Sequence, residues 1–347
     1  MKYKFLLIIL FNSFFSCQKS DFSYLSPPKS VIDQYTKLYS ESKVNLNQWD
    51  KLATIFPSNY NRNTQKDYTE DIQKFFTTHK NILLPDYPVY ISIGLKLNSN
   101  TNVFFQKNSK IIYTGEVNGR HYDIVKIEDV ENVNLYNPYV VGNRDAQMKH
   151  TGEWNAGLSI QNSRNIKIYN ATIKNTWGDG IFVGSETGSF SEDVIIDGGW
   201  IDNVRRNGIT ITSGRNVKVE NILISNTHGT LPEIGLHIEP SLYEEILENI
   251  NIQKVYTYNN GVAGLGINLH AFSNKLKAPK NVSILVDGFK SDLSNYSMGF
   301  SMGDLNNSGT YNGKILIKNG VFTKPRLDYL WKNKDKIEVS YMNIVYK

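Results

Sequence analysis

Ionisable and aromatic side chains cluster in the short segments that precede a recurring glycine in the middle of the chain. A carboxylate next to a base can move protons, and a guanidinium matches the carboxylate of an acidic sugar. An indole ring offers a flat apolar surface to a sugar ring. The combination therefore predicts chemistry on a carbohydrate. The residues concerned are Arg144, Asp145, Lys149, His150, Glu153, Trp154, Trp177, Asp179, Arg205, Arg206, His228 and Glu233.

A second polar group follows two of the recurring glycines. His237 and Glu239 stand two and four positions after one glycine, and Asn268 and His270 stand two and four positions after the next. Alternate residues of a strand share a face. We therefore expect all four side chains on one outer face, with Asn268 and His270 one coil below His237 and Glu239.

The candidate residues are spread along the chain, so a repeating fold is needed to bring them together. A glycine followed by alternating apolar and polar residues returns at intervals of 23, 28, 27, 31 and 33 residues, which is typical of a solenoid. Asparagines recur at the ends of the short strands between the glycines, and asparagine tolerates the left-handed backbone of a tight corner. The pattern predicts an all-β fold, a single-stranded right-handed parallel β-helix. The glycines are Gly157, Gly180, Gly208, Gly235, Gly266 and Gly299.

The N-terminus has the features of an export signal. Two lysines precede an apolar run at residues 5–11, which is too short to span a bilayer. The only cysteine, Cys17, follows in a segment similar to a bacterial lipobox, with Phe14 where leucine is usual. This predicts a signal peptide over residues 1–16 and a lipid on Cys17 that anchors the protein in the cell membrane or outer membrane. A plain secretory signal is the alternative.

The remaining chain divides into a tether and one domain. Residues 17–48 are polar and include two prolines, so they are predicted to lead away from the lipid. Residues 49–347 are predicted to form one β-helix domain. Asp67, with Glu70 three positions later, predicts the start of a helix that caps the open end of the solenoid.

Composition limits the partners and cofactors. The net charge of +5, which falls to +3 without the two signal-peptide lysines, is too small to predict nucleic-acid binding. Calcium needs clustered carboxylate oxygens, and the acids here are scattered, so the sequence allows calcium without indicating it. We predict no metal site, a polysaccharide partner and a monomer.

Four stretches of the repeat resemble a bacterial branch of the pectate-lyase-like β-helix superfamily, whose members are related to polygalacturonases. The resemblance covers roughly residues 60 to 305. It implies a β-helix that acts on polysaccharides, often ones rich in uronic acids. The stretches are Gly152-Glu153-Trp154, Trp177-Gly178-Asp179-Gly180-Ile181, Arg205-Arg206-Asn207-Gly208-Ile209 and Ile234-Gly235-Leu236-His237-Ile238-Glu239-Pro240.

The polygalacturonase pattern itself is incomplete in this sequence. Asp179 has no adjacent aspartate, Asn207 stands where the family has a histidine, and Arg-Ile-Lys is absent. An inverting hydrolase needs two carboxyls about 6.5–9.5 Å apart. Asp179 and Glu233 lie two coils apart, about 9–10 Å by strand spacing, so this pair could serve instead.

We favour a polysaccharide lyase on these residues. Arg205 or Arg206 would neutralise a uronate, and His237 or His228 would remove the acidified proton. The alternatives are an inverting hydrolase, an epimerase and a non-catalytic glycan-binding β-helix. Each residue also has a structural interpretation, such as a tryptophan that seals a loop. The predicted catalytic residues are Asp179, Arg206, His237, Glu239 and Glu233, and the predicted substrate-binding residues are Glu153, Trp154, Trp177, Arg205, His228, Asn268 and His270.

Overall fold

The protein is a parallel β-solenoid, as a computed structural model shows, and the predicted fold class is confirmed. In the described part of the chain, the middle coils each contribute one strand to an eight-stranded sheet and one or two strands to an eighteen-stranded sheet, and the coils at both ends contribute to the eighteen-stranded sheet alone. The structure describes residues 22–58, 60, 64–117, 122–147, 152–185, 187–273, 276–301, 311–323 and 337–346.

The strands are short because a tight turn follows almost every one. Two α-helices precede most of them, α1 at Lys29–Tyr35 and α2 at Thr69–Thr78. Short 3-10 helices occupy Glu41–Lys43, Leu46–Gln48, Leu52–Ile55, Arg144–Gln147 and His270–Phe272. The strands up to the middle of the chain are β1 Asp50–Lys51, β2 Asn81–Leu83, β3 Pro88–Ile91, β4 Leu95–Lys96, β5 Asn102–Phe104, β6 Lys110–Tyr113, β7 Val125–Glu128, β8 Glu131–Tyr136, β9 Tyr139–Val141, β10 Leu158–Gln161, β11 Arg164–Lys174, β12 Ile181–Gly184 and β13 Ser191–Asp202.

The second half continues the same alternation without an α-helix among its described residues. The eight-stranded sheet consists of β4, β7, β10 and β12 from the first half and β14, β16, β19 and β22 from the second. The strands of the second half are β14 Ile209–Ile211, β15 Gly214–Ser225, β16 Ile234–Ile238, β17 Leu247–Gln253, β18 Tyr256–Tyr258, β19 Ala263–Asn268, β20 Lys280–Asp287, β21 Lys290–Asp292, β22 Tyr296–Ser301, β23 Tyr311–Lys318, β24 Val321–Phe322, β25 Glu338–Met342 and β26 Val345–Tyr346.

The core is a stack of aliphatic side chains inside the solenoid. In the eight-stranded sheet the inward positions of consecutive coils pair in register, for example Leu158 with Ile181 and Ile181 with Ile209, and all three are fully buried. Apolar burial of this kind contributes roughly 1.5–3 kcal/mol per side chain. The alternate positions therefore point outward, and these form the face on which the candidate site lies.

Asparagines turn the corners of the coils, as the sequence predicts. Asn165, Asn216 and Asn249 all have φ between 54° and 56°. Their side-chain amides also join neighbouring coils, because Asn165 donates to Asn132 at 2.7 Å and Asn249 donates to Asn216 at 2.8 Å. Each rung therefore fixes the register of the next.

The helix α2 caps the N-terminal end of the solenoid. Its buried residues Ile72, Phe75 and Phe76 join the main core, and the helix packs on β4. The N-cap residue is Tyr68 and not the predicted Asp67, which lies one position earlier and accepts from the Thr69 N–H at 2.9 Å. The prediction of a capping helix here is confirmed.

The prediction of a free tether over residues 17–48 is wrong from residue 22 onward. Residues 22–48 (the strap) lie along the outside of the solenoid, and α1 packs on β13 and β15. Polar bonds to the corner asparagines hold the strap in place. Asn259 donates to the Ser23 carbonyl oxygen at 2.9 Å, and the Tyr39 N–H donates to Asn137 at 2.7 Å.

The predicted signal peptide and the lipidated Cys17 lie outside the described residues. Among the residues that are described, no helix has the length and apolar character needed to cross a bilayer. The lipid anchor stays a prediction.

Candidate functional site

One guanidinium gathers three carboxylates on the outer face of the eight-stranded sheet. Arg206 Nε lies 2.9 Å from Glu153, Nη1 lies 3.1 Å from Asp179 and Nη2 lies 3.5 Å from Glu239. We call Glu153, Asp179, Arg206, His237 and Glu239 the carboxylate cluster. It unites four of the five predicted catalytic residues with one predicted binding residue.

Turns and strand ends of adjacent coils position this cluster. Asp179 and Arg206 lie in the turns that precede β12 and β14, and Glu239 directly follows β16. The loop that carries Glu153 packs closely on Gly178, where a Cβ atom would lie 2.8 Å from the Glu153 carbonyl oxygen. The lack of a side chain at Gly178 therefore lets this loop reach the cluster.

His237 and Asp179 are the buried members of the cluster, and His237 is the less exposed of the two. Its side chain is 3% exposed, and its Nδ1 lies 3.2 Å from a Glu239 carboxylate oxygen in a contact that is not a well-aligned hydrogen bond. The imidazole lies across Gly266 in the next coil, because a Cβ atom there would be 2.8 Å from His237 Cδ2. Asn268 donates to Glu239 at 3.2 Å.

These contacts correct the predicted register of the fifth coil. His237 pairs with Gly266, so Asn268 lies opposite Glu239 and not opposite His237. His270 lies beyond the strand in a 3-10 helix and is exposed, so its predicted place below Glu239 is wrong. The cause is a second glycine two residues earlier, Gly264, where a Cβ atom would lie 2.2 Å from a serine hydroxyl oxygen.

Burial and charge move the pKa values of the cluster apart. Burial acts to raise the pKa of Glu239, but His237, Arg206 and Asn268 together lower it to about 2. Burial also acts to lower the pKa of Arg206, and the surrounding carboxylates overcome this and raise it. Glu239 and Arg206 are therefore ionised at neutral pH.

The pKa of Asp179 shifts in the opposite direction. Burial raises it, while Arg206, the Thr210 hydroxyl and the Asn207 N–H act to lower it. The Asn207 N–H donates to Asp179 at 3.0 Å. Among the carboxyls of the cluster with a resolved shift, Asp179 is thus the one whose environment favours the protonated form.

A second charged group on the same edge is internally bonded. We call Arg144, Arg205, His228 and Glu233 the loop cluster. Arg144 donates to the Asn203 carbonyl oxygen at 3.0 Å and to His228 Nδ1 at 2.8 Å. Because a guanidinium only donates, His228 Nδ1 accepts and its proton sits on Nε2.

The imidazole of His228 is also covered by the strap. The Phe22 ring packs edge-on against it with the ring centroids 3.7 Å apart. Burial first, and then the charge of Arg144, lowers the pKa of His228 to about 4. His228 is therefore neutral at physiological pH.

The prediction that Trp177 forms a sugar platform is wrong. Its residue exposure is only 3%, and it belongs to the main apolar core. The Arg205 guanidinium lies 3.8 Å from the centroid of its ring, and Arg205 also donates to the Gly152 carbonyl oxygen at 2.6 Å. Arg205 thus clamps a loop onto Trp177, whereas Trp154 is only half-buried.

The predicted use of Asp179 with Glu233 as a carboxyl pair stays a prediction, and Glu233 is bonded within its own turn. Glu233 accepts from the Gly229 N–H at 2.8 Å and adopts a left-handed φ of 55° within its turn. Asp179 instead shares Arg206 with Glu239. The Lys149 and His150 of the sequence analysis lie outside the described residues.

Two residues of the site are absent from the predicted catalytic and binding residues. Asn207 is fully buried, and it accepts from the Ile234 N–H and donates to Thr210 while its own N–H bonds Asp179. Phe182 is half-buried on the same outward column as Thr210 and His237. The position of Phe182, two residues after Gly180, predicts an outward side chain. The fold adds that this ring is only half-buried and lies beside polar neighbours.

A resident metal ion has no evident ligand set in the described part of the chain. No group of three or more His, Cys, Asp or Glu side chains there converges in a way that could hold one. The three carboxylates of the carboxylate cluster are instead gathered by Arg206.

Comparison with known proteins supports the architecture. No protein-family model matches the chain. The uncharacterized protein YclG of Bacillus subtilis (strain 168) is 32% identical over 133 residues, which cover 34% of this chain and 23% of YclG. The match thus spans less than a quarter of that relative.

Several solved structures share the solenoid. Pre-mature gene product 12 of bacteriophage phi29 has a TM-score of 0.61 at 16% identity, over 85% of this chain and 40% of that one. A galactohydrolase of a sulfated galactan has a TM-score of 0.59 at 14% identity, over 89% and 91%. The surface adhesin PfbA of Streptococcus pneumoniae has a TM-score of 0.59 at 14% identity, over 86% of each chain. At these identities the likeness shows the β-helix fold, and the pectate-lyase-like branch stays a prediction.

Proposed function

We propose that this protein hydrolyses a polysaccharide at the carboxylate cluster. The observation that carries the proposal is the contact of Asp179 and Glu239 with one guanidinium, with their pKa values shifted in opposite directions. Glycoside hydrolysis uses two carboxyls, one protonated to assist the leaving oxygen and one ionised to activate water or attack the sugar. A pair with separated pKa values suits these two roles.

The roles follow from the environments. Glu239, which is ionised, is proposed as the base or nucleophile. Asp179, whose pKa is raised by burial, is proposed as the acid. Arg206 holds both in place and Asn268 orients Glu239. Glu153, with a side chain 45% exposed, lies at the mouth of the cluster.

Elimination, which the sequence analysis favoured, is less well supported. A lyase needs a cation that neutralises the uronate carboxylate. Arg206 is surrounded by three carboxylates of the protein itself, and Arg205 is bonded to a backbone carbonyl. Neither arginine is therefore available to a uronate without breaking existing bonds.

Structural neighbours make a polysaccharide a reasonable substrate for this fold. One is named for its galactohydrolase activity, and another is an iota-carrageenase complexed to iota-carrageenan fragments, with a TM-score of 0.54 at 14% identity. The adhesin among the neighbours leaves a binding function as the alternative.

We also propose that the protein is a monomer held at the cell envelope by a lipid on Cys17. The support is the sequence alone, namely the short apolar run and the single cysteine that follows it. Labelling with a radioactive fatty acid would test it: Cys17→Ser should abolish incorporation, and label retained in the variant would overturn the anchor.

Incubation of the purified protein with a panel of polysaccharides tests the reaction. New reducing ends without the ultraviolet absorbance of an unsaturated uronate support hydrolysis, whereas both signals together identify a lyase. Glu239→Gln should remove the activity. The matched control is Glu244→Gln, because Glu244 lies in the loop after β16 and pairs only on the surface with Lys277. Retention of a polymer on an affinity gel without cleavage would replace the hydrolase proposal with a binding protein.

A further inference from the structure

The three arginines described around the candidate site already have partners in the protein. Arg206 contacts three carboxylates, and four of its donor contacts are hydrogen bonds to them. Arg205 donates to the Gly152 carbonyl oxygen, and its guanidinium lies on a buried indole ring. Arg144 is buried and donates to Asn203. An acidic sugar would have to displace one of these contacts to gain a cation.

The carboxylate cluster also carries an excess of negative charge. Beside the proposed acid Asp179, the Arg206 guanidinium faces the carboxylates of Glu153 and Glu239, whose side chains remain 45% and 17% exposed. Both carboxylates therefore reach solvent at the outer side of the cluster. A second anion brought within a few ångströms of them is repelled, and the repulsion is stronger where water is excluded.

The loop cluster does not offset this charge. Its Glu233 lies close enough to influence both Arg144 and Arg205, and the exposed Asp145 lies 3.7 Å from Arg144. In the described part of this edge, the two arginines of the loop cluster thus have two acidic neighbours, and the loop cluster adds no net positive charge.

We infer that the site accepts uncharged sugar residues on both sides of the cleaved bond, and excludes uronic acids and sulfated sugars from these two positions. The inference rests on the proposed hydrolysis and names its substrate class. It departs from the uronic-acid substrate expected from the sequence. Hydroxyl groups can share the carboxylate oxygens as hydrogen-bond acceptors, whereas a sugar carboxylate can only add to the negative charge.

The test uses polymers that differ in charge and not in linkage. Each acidic polysaccharide of the panel, such as polygalacturonate, is compared with its own carboxyl-reduced form, and each sulfated one with its desulfated form. Neutral galactans, glucans, mannans and xylans complete the panel. We expect initial rates at least about ten-fold higher on the uncharged member of a cleaved pair, equivalent to about 1.4 kcal/mol.

A substitution at Glu153 tests whether repulsion by the carboxylates causes the preference for uncharged polymers. Glu153→Gln removes the charge of the most exposed carboxylate in the cluster and keeps an oxygen that can accept from Arg206 Nε. It should lower the ratio of the initial rates on the uncharged and the acidic polymer several-fold. Added salt should lower the same ratio in the wild-type protein, because it screens the repulsion. Glu244→Gln is the control and should leave the preference unchanged.

The outcomes separate this inference from the proposed function. Hydrolysis of the native acidic polymer at the same rate as its uncharged form, or faster, overturns the inference and leaves the hydrolase intact. A protein that neither cleaves nor retains any member of the panel overturns both. Cleavage that is confined to uncharged polymers supports both.

Discussion

The carboxylate cluster and the loop cluster lie on the same edge of the solenoid and contain the same kinds of residues, yet they are built for different tasks. In the carboxylate cluster a central arginine has only side-chain carboxylates as partners, and two of these reach solvent. In the loop cluster the arginines bond backbone carbonyls and a neutral imidazole, and Phe22 closes the group from outside.

The two clusters contain the same residue types, so the difference lies in their hydrogen-bond partners. These partners distinguish charged side chains that can react with a ligand from charged side chains that only hold the fold together. Charged groups whose bonds end on the backbone hold loops together. Charged groups that hold one another and still reach water are available to a ligand. The predictions below test this division, and each compares a change in or beside one of the two clusters with a matched change elsewhere.

Loss of one catalytic carboxylate should have the largest effect. Glu239→Gln should lower the rate of polysaccharide cleavage about 10²- to 10⁴-fold, because an amide cannot act as base or nucleophile. Glu233→Gln keeps an oxygen for the Gly229 N–H and should stay within a few-fold of wild type. Initial rates of reducing-end formation measure both. An equal loss in the two variants would remove the distinction between the clusters.

Removal of the central arginine should destabilise the fold more than removal of a loop arginine. Arg206→Met leaves three carboxylates without their cation and should lower the free energy of unfolding by about 3–5 kcal/mol. Arg144→Met removes hydrogen bonds to the backbone and to His228 and should cost about 1–3 kcal/mol. Urea titrations at neutral pH compare the two. A larger loss for Arg144→Met would contradict the prediction.

The loop cluster should make the fold sensitive to acid. The pKa of His228 falls from 6.5 to about 4 on folding, so between these values the unfolded chain binds the proton and the folded protein does not. Stability from this group is complete above pH 6.5 and is lost as the pH falls toward 4, by about 2 kcal/mol at pH 4.5. His228→Gln should flatten this part of the stability profile. The exposed His270, changed to Gln, is the control. A profile unchanged by His228→Gln would show that another group is responsible.

The accessible ring on the outer face should have the smallest effect. Phe182→Ala should reduce kcat/KM by about ten-fold or less, mainly through KM, because stacking of a sugar on the ring contributes about 1 kcal/mol. Phe190, whose ring lies under Arg215, provides a matched control away from the cluster. A loss as large as that of Glu239→Gln would mean that Phe182 positions the carboxylates.

Much of the fold was predictable because glycine and asparagine recur where the backbone demands them. The left-handed corners and the apolar rungs repeat in every middle coil, so the register up to Gly235 and the grouping of Asp179, Arg206 and Glu239 could be read from the sequence. The error began at Gly264 and Gly266. These two glycines are two residues apart, so either could be the recurring glycine that begins the repeat in this coil. Only the close contacts in the folded coil show that Gly264 takes this position.

The remaining errors concern segments whose contacts lie far away in the sequence. The strap has no apolar period, because it is held by asparagine amides of the solenoid and by single aromatic contacts such as that of Tyr39 with Tyr136, and such a segment has the composition of a linker. Likewise, the sequence contains Trp177 but not the direction in which its loop folds. Burial of that ring depends on Arg205 and Gly152, which lie in two other coils.

The strap has a consequence for the order in which the molecule assembles. Its residues are synthesised before the coils, yet their partners Asn226 and Asn259 follow them by 201 and 236 positions. Coils can stack on their neighbours one at a time, but the strap can dock only when the corners from Asn137 to Asn259 are in place. The first described segment of the chain is therefore among the last to fold, and its docking completes only on a solenoid whose coils are all in register.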